Sequence, residues 1–479
     1  MALRILLTLV SFAACTASKA GHISPAAGQM LWKQEDISYF RQSFLDVDRS
    51  FSPAARAAAE IRLSRLERES GSIDPTDFAV ELCRIAALAD NGHTECLPAW
   101  VGRNICKQVA PILSDRSQWC LLRDPDFQIP AFQNVSIAFY PFGGTFNVVG
   151  AAARNSDLLG ARLSAVNGRS VESIRDVLCS FVGGTPAHRE LKAADVLASP
   201  EQLHAVGLSG SSRAVTYEFV MPSGRQVRRR LEVAKPSATQ EPWRQLPDPD
   251  HAPWAFQEAG TPFRFRDAPT IDGVIVQLRQ NSDADNQRIN DFLEYVETQR
   301  SALARTNVVL DMRFNGGGNL LLTRDFLRQW PARVPGRFFV LTSRQTFSAA
   351  IASIAYLKQA GDNRVSIIGE SIGDRLMFFS DGLPIQLPHS GLFLLPATVR
   401  MDYRDGCRHY DDCFEGIAQP GGPTATSPFT SAIPLDRLPI SVVALEPDIV
   451  APWTIEAWLT GNDPMMDAVA TLVIEKAKQ

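Results

Sequence analysis

The chain has few of the residues that build metal sites and no apolar run long enough to cross a membrane. Only 8 cysteines and 7 histidines occur in 479 residues. There is no Cys-x-x-Cys pair and no pair of histidines at ligand spacing, so we expect no metal site. No stretch reaches the roughly twenty apolar residues of a transmembrane helix, so we expect no membrane span.

The chain also lacks an excess of charge of either sign. It carries 48 Lys and Arg against 52 Asp and Glu, for a formal net charge of -4. This balance gives no electrostatic reason to expect a nucleic-acid partner. The basic run 228–230 is too short to follow a phosphate backbone. With 45% hydrophobic residues the chain is a large globular protein, and its length suggests about three domains.

The first twenty residues have the composition of a targeting segment. Arg4 precedes the apolar run 5–14, and small residues lead to Ala20. This pattern predicts a secretory signal peptide over 1–20 and a periplasmic or secreted protein. The stretch Phe12-Ala13-Ala14-Cys15 also resembles a bacterial lipobox, so a lipid anchor at Cys15 is the alternative.

An oxidising compartment would permit disulfides among the remaining cysteines. Cys407 and Cys413 lie six residues apart in a polar loop, and we expect them to pair. Four cysteines near the N-terminus allow two bridges in three ways, and the sequence leaves the choice open: Cys83, Cys96, Cys106 and Cys120.

Four regions follow the signal peptide. Three- and four-residue apolar spacing predicts a helical N-terminal region over 21–130. Short β-rich runs broken by turn residues predict a mainly β module over 131–235. The proline-dense stretch 236–270 is interpreted as an extended linker on the surface. Residues 271–479 alternate strand and helix, with strands at 273–278, 307–310, 338–342 and 365–369. This alternation predicts an α/β core with a mostly parallel sheet and right-handed crossovers.

Parallel sheets bind ligands at the carboxyl ends of their strands, so the turns after these strands are the candidate site. The first turn contains Gly316, Gly317 and Gly318, where backbone N–H groups could approach an anion or an oxyanion. A flexible tight turn is the simpler interpretation. Its spacing fits neither dinucleotide nor Walker motifs, and we expect no cofactor.

The next turn places Ser348 at the start of a helix. By itself such a serine is most often an N-cap. The alternative is a nucleophile, with the Ala349 N–H facing the oxyanion that forms on attack. A serine nucleophile needs a base, and His93 in the sharp turn 90–94 is the histidine with a suggestive context, although a lone loop histidine is more often a surface residue.

Together these segments resemble the tail-specific, or C-terminal processing, serine peptidases and their relatives, the tricorn core peptidases. Val309-Leu310-Asp311-Met312-Arg313 with the following glycines is similar to the family's strand and Gly-rich turn. Thr346-Phe347-Ser348-Ala349-Ala350 is similar to its nucleophile segment. Asp90-Asn91-Gly92-His93-Thr94 resembles the Asp-Gly-His-Thr turn of the histidine-using members, with Asn91 inserted.

The resemblance implies a crotonase-like core, a PDZ-like module over 131–235 and a serine endopeptidase that cleaves a peptide or protein partner. It implies Ser348 as nucleophile, His93 as base and an oxyanion site at Ala349, Gly316 and Gly317. Members with a Ser-Lys dyad carry a lysine after the Gly-Glu turn, but here Asp374-Arg375 follows, and arginine cannot act as a base. The sequence therefore favours the tricorn-like, histidine-using type.

Two questions stay open at this level. The acid that orients His93 is Asp374, Asp402 or Glu370, in falling order of positional plausibility. The alternative function is a catalytically inactive member of the fold that binds a peptide or an apolar ligand.

Overall fold

The computed structural model describes residues 25–97, 132–233, 241–380, 382, 384–404, 414–415 and 440–477. The expected signal peptide, the lipobox with Cys15, Cys106, Cys120 and the Cys407–Cys413 pair lie outside the described residues. Within the described part, no helix combines the length and the apolar character needed to pass through a bilayer.

The N-terminal region is helical, as its apolar spacing predicts. Its helices begin at capping side chains, since Ser52 accepts from the Ala55 N–H and Asp74 accepts from the Thr76 N–H. A disulfide between Cys83 and Cys96 joins the last helix to the strand that follows. The elements are α1 (Pro25–Tyr39), continued by a π-helical turn, α2 (Pro53–Glu69), α3 (Pro75–Ala86) and strand β1 (Glu95–Leu97).

The module after it is built on a seven-stranded sheet with its own hydrophobic core. Six of its strands are β2 (Ile137–Phe142), β3 (Thr145–Ala152), β4 (Arg162–Val166), β5 (Arg169–Ser170), β6 (Ala214–Val220) and β7 (Gln226–Glu232), and the seventh comes from the proline-rich stretch. The sequence analysis assigned no helix here, yet three are present: α4 (Val171–Leu178), α5 (Pro186–Leu197) and α6 (Pro200–Ala205).

The proline-rich stretch is anchored by strands near both of its ends. Strand β8 (Trp243–Gln245) pairs with β3 of the module. Strand β9 (Phe263–Ala268) pairs antiparallel with the first strand of the core. The stretch therefore connects two sheets through hydrogen-bonded ladders, where the sequence had indicated an extended segment alone.

The core is a six-stranded sheet in which β9 is the antiparallel edge strand and the other five strands are parallel. Three of its strands have the predicted bounds, because each is a short, mainly apolar run that ends at a turn. Its elements are β10 (Gly273–Leu278), α7 (Ile289–Ala302), β11 (Asn307–Asp311), α8 (Leu321–Arg333), β12 (Phe338–Thr342), α9 (Ala349–Gly361) and β13 (Val365–Gly369).

Two small sheets connect this core to the N-terminal region. Strands β14 (Met377–Ser380), β17 (Val399–Asp402) and β18 (Phe414–Glu415) form one of them, and β15 (Ile385–Gln386) and β16 (Phe393–Leu395) join β1 in the other. Because β1 begins two residues after His93, its pairing with β16 brings the histidine turn to the core. The chain ends with β19 (Ile449–Val450), α10 (Ile455–Thr460) and α11 (Pro464–Ala477).

The module packs directly on the core. Tyr140 and Phe142 of β2 contact the ring of Trp458 at centroid distances of 4.9 Å and 5.0 Å. Thr185 donates a hydrogen bond to the Gly373 carbonyl at 3.0 Å. The module therefore borders the candidate site.

Candidate active site

Ser348 lies at the end of the turn between β12 and α9, with a strained backbone. Its φ of 55° and ψ of -126° place it in a region that non-glycine residues rarely occupy. Although Ser348 is at the N-cap position, its side chain makes no capping hydrogen bond. Strain without a capping bond fits a serine held for another purpose than starting the helix.

The Gly-rich turn packs against this serine. A Cβ added to Gly317 would lie 2.5 Å from Ser348 Cβ and 3.0 Å from the Ala349 nitrogen, so only glycine fits at this position. The Gly317 N–H donates to Asn315 Oδ1 at 2.9 Å. Gly317 therefore allows the close approach of the two turns, and its N–H is engaged by the Asn315 side chain.

Ala349 and Gly316 are the two other residues whose N–H groups are expected to bind an oxyanion. Among the described residues, no acceptor lies within hydrogen-bonding distance of the Ala349 N–H, which is the first amide of α9. The Cβ side of Gly316 faces open space. Asn315 holds the two turns together, because its carbonyl accepts from the Phe347 N–H at 3.0 Å.

His93 is sandwiched between two aromatic rings of the core. Its imidazole stacks on Phe347 at a centroid distance of 4.3 Å and on Phe378 at 4.8 Å. Phe347 is the residue directly before Ser348, so the histidine turn reaches the nucleophile segment. These contacts fix the plane of the imidazole.

Asp374 fixes the rotation of that imidazole within its plane. His93 Nδ1 lies 3.2 Å from Asp374 Oδ2, and the Asp374 side chain is fully buried. When Nδ1–H donates to this carboxylate, Nε2 carries the lone pair and can accept a proton. Within the described residues, Nε2 is buried and has no hydrogen-bond partner.

The other two candidate acids are engaged elsewhere. Asp402 accepts from Arg400 at 2.7 Å and from the Arg404 N–H at 3.1 Å. Glu370 lies 3.4 Å from Arg344 in a buried ion pair. The structure thus brings Asp374 to His93, whereas it pairs Asp402 with an arginine.

Arg375 occupies the place of the missing lysine, and it binds the histidine turn. Its guanidinium donates to the Asp90 carbonyl at 2.7 Å and to the Asp90 carboxylate at 2.9 Å. Arg189 of the module pairs with the same carboxylate. Lys358 is the first lysine after Ser348. Its ammonium donates to the Val365 carbonyl at 2.6 Å, and its side chain is partly buried. These contacts give neither cation a place beside Ser348 Oγ.

The site contains a second histidine, His188, which the sequence did not indicate. His188 stacks on Phe347 at 5.0 Å, and burial lowers the pKa of His188 to about 4, with the Lys192 charge acting in the same direction. Lys192 forms an ion pair with Glu95 at 3.2 Å. Burial opposes ionisation of Glu95, but Lys192 and His188 outweigh it and the pKa of Glu95 is lowered. The only sequence signal for His188 is an apolar helix face that carries one histidine.

A cavity of about 620 Å³ lies beside the His93–Asp374 pair. Asp374 is one of its lining residues, and the module contributes Thr185, Pro186 and Glu190 to the wall. The core contributes both apolar side chains, including Ile372 and Leu445, and charged ones, including Arg344 and Glu446. No cluster of metal ligands is found among the described residues.

Among the comparisons with known proteins, the one with solved structures finds chains of similar fold. No protein-family model matches the chain, and no curated protein matches it. Mature CPAF in complex with lactacystin has 14% sequence identity and a TM-score of 0.56, and the match covers 94% of this chain and 99% of that chain. A CPAF mutant has 12% identity and a TM-score of 0.57, with coverages of 94% and 98%.

The chain has the fold of CPAF. A less similar match is named as a protease. The photosystem II D1 C-terminal processing protease has 14% identity, a TM-score of 0.38 and coverages of 93% and 97%. At these identities the likeness shows the fold, and the chemistry has to be argued from the site itself.

Proposed function

We propose that this protein is an exported serine endopeptidase that uses a histidine and an aspartate to activate Ser348. In this proposal the core is crotonase-like and the module over 131–235 is PDZ-like, as in the histidine-using, tricorn-like peptidases that the sequence resembles. The observation that carries the proposal is the state of His93: Nδ1 is held by buried Asp374, Nε2 is buried without a hydrogen-bond partner among the described residues, and the ring stacks on the neighbour of Ser348.

The chemistry follows from these roles. His93 Nε2 takes the proton from Ser348 Oγ as that oxygen attacks the peptide carbonyl, which requires the two atoms to approach to about 2.6–3.2 Å. Asp374 stabilises the imidazolium that forms. The Ala349 N–H and an amide of the Gly-rich turn bind the oxyanion. His93 then gives the proton to the leaving amine, and water hydrolyses the acyl-enzyme by the reverse sequence.

The proposed setting agrees with the disulfide and with the cavity. Cys83 and Cys96 are paired, as is usual for proteins of oxidising compartments. The cavity beside Asp374 is lined by both apolar and charged side chains, a mixture that suits the side chains and the backbone of a peptide or protein substrate. We assign no cofactor to the reaction, because a Ser-His-Asp mechanism requires none.

Activity-based labelling tests the proposal. A fluorophosphonate probe should label the wild-type protein and fail to label Ser348→Ala and His93→Ala, while Lys358→Ala keeps full labelling. In peptide hydrolysis each of the two site variants should lose about 10⁴-fold or more in kcat, and the double variant should be hardly worse, because residues that act as a unit are not additive. If the folded wild-type protein is not labelled by the probe and does not cleave the peptide, the result favours the alternative, a catalytically inactive protein that binds a peptide or an apolar ligand.

A further inference from the structure

Asn91 is the residue by which the histidine turn departs from the Asp-Gly-His-Thr pattern. Its side chain is buried, with 4% of the residue exposed, although it lies in a loop two positions before His93. Burying an amide is unfavourable unless its donors and acceptor are satisfied. The partners of Asn91 therefore show what the insertion does.

The amide of Asn91 binds one residue of the core through both of its polar atoms. Asn91 Nδ2 donates to the Phe379 carbonyl at 3.0 Å, and the Phe379 N–H donates to Asn91 Oδ1 at 3.0 Å. Phe379 belongs to β14, which pairs with β17 on its other edge. These two hydrogen bonds resemble the pair that an antiparallel strand would form with Phe379 on this edge of β14.

The neighbouring residue of β14 is the one that stacks on the imidazole. Phe378 lies parallel to the His93 ring, with an interplanar angle of 4°. One short strand therefore holds the histidine turn at its backbone and the histidine at its ring. Any shift of Asn91 relative to β14 displaces His93 relative to Phe378.

A second set of bonds ties Asn91 to the N-terminal region. Asn91 Nδ2 also donates to Thr94 Oγ1 at 3.1 Å, and the Thr94 hydroxyl donates to Asp48 Oδ2 at 2.9 Å. Asp48 is buried and accepts in addition from the Ala397 N–H at 2.7 Å. Asn91 is therefore the link between the strand that faces the imidazole and a buried carboxylate beneath the turn.

We infer that Asn91 is a positioning residue for His93, an inference that rests on the proposed function. It touches neither the reacting atoms nor the substrate. It sets the place of the turn so that Nδ1 meets Asp374 and the imidazole stacks on Phe347, the residue before Ser348. An error of about 1 Å in such a placement costs roughly a hundredfold in rate, so its loss should lower kcat far more than it raises KM.

The chain offers a matched control for the loss of the two hydrogen bonds between the Asn91 side chain and the backbone of Phe379. Asn307 Nδ2 donates to the Ile271 carbonyl at 2.9 Å, and Asn307 Oδ1 accepts from the Arg337 N–H at 3.0 Å. Asn307 stands at the amino end of β11, the opposite end from the candidate site. Asn307→Ala therefore removes an equivalent pair of bonds at a distance from His93.

The experiment compares Asn91→Ala, Asn307→Ala and the wild type in two assays. The first measures kcat and KM on a peptide substrate. The second measures the rate at which diethylpyrocarbonate modifies His93, followed by mass spectrometry of the His93 peptide. For Asn91→Ala we expect kcat to fall roughly tenfold to a hundredfold with KM within about twofold. We expect His93 to become more reactive in this variant alone.

The second assay decides between failure of the inference and failure of the proposed function. Unchanged His93 reactivity in Asn91→Ala would overturn the positioning role, whatever happens to kcat. A wild type without hydrolysis, combined with raised His93 reactivity in the variant, would overturn the peptidase function and leave the positioning role standing. If Asn91→Ala does not fold, Asn91→Asp serves instead, because it keeps the acceptor for Phe379 N–H and sets a carboxylate oxygen against the Phe379 carbonyl.

Discussion

The backbone of Ser348 has the conformation of the first central residue of a type II′ turn, which glycine adopts without strain. Strain of this kind costs on the order of 1–3 kcal/mol, whereas glycine adds about 0.5–1 kcal/mol of unfolded-state entropy. We therefore expect Ser348→Gly to be more stable than Ser348→Ala by roughly 1 kcal/mol while both lack activity. Denaturant unfolding of the two variants measures the difference. Equal stabilities would mean that the strain at this position is no larger than the entropic cost of glycine, about 0.5–1 kcal/mol.

Gly92 leaves no room for a side chain between the histidine turn and the core. An added Cβ would lie 2.9 Å from Asp374 Oδ2 and 2.9 Å from the Phe347 ring. Gly92→Ala should therefore separate His93 from Asp374 and lower kcat by about a hundredfold. Gly210→Ala is the control, because its Cβ would meet open space and its φ is not positive. Wild-type kcat in Gly92→Ala would contradict the close packing described above.

His188 should make the protein sensitive to acid. Its pKa is lowered from 6.5 to about 4 by burial, so between these values the unfolded chain binds a proton that the folded chain does not. Stability is therefore lost as the pH falls from about 6.5 to about 4, by roughly 3 kcal/mol in all. His188→Phe keeps a ring against Phe347 and should remove most of this loss. Urea unfolding at pH 7 and pH 4 measures it, with His251→Phe at an exposed position as control. The same pH dependence in both variants would exclude His188 as its source.

At the scale of elements, the disulfide closes the segment that carries the histidine turn. Cys83 in α3 and Cys96 in β1 are 13 residues apart, and residues 90–94 lie between them. Closing a loop of this size stabilises a protein by about 3 kcal/mol. We expect Cys83→Ala with Cys96→Ala to lower the free energy of unfolding by that order and to slow fluorophosphonate labelling. Cys179→Ala, at a free cysteine, is the control. Unchanged labelling in the double variant would show that hydrogen bonds alone hold the turn.

Elements were predictable where local sequence decides them. Strands β10, β12 and β13 are short, mainly apolar runs, and their predicted bounds agree with the structure. The helices of the module were missed, because α4 and α6 are short and amphipathic segments of that length carry a weak periodic signal. Strand β8 was missed because three exposed residues become a strand only through their partner β3.

At the scale of the whole molecule, the candidate site was predictable in its parts and not in its assembly. Ser348, His93 and Asp374 could be selected because each lies in a turn whose sequence constrains the chemistry. The choice between Asp374 and Asp402 depended on packing between segments 281 residues apart, which no local pattern records. The same is true of Asn91, whose partner Phe379 lies 288 residues away.

The long separation between the site's parts has a consequence for the cell that makes the protein. His93 is synthesised 255 positions before Ser348, and β14 and Asp374 come later still. At about 5–20 residues per second, translation leaves an interval of roughly 10–50 s in which a histidine turn exists without a serine. Under the proposed mechanism, a chain that has not yet reached Ser348 lacks its nucleophile and cannot cleave its neighbours or itself. The proposed site is complete only after Ser348 and Asp374 have been made and packed against the histidine turn, so the order of synthesis would itself delay activity.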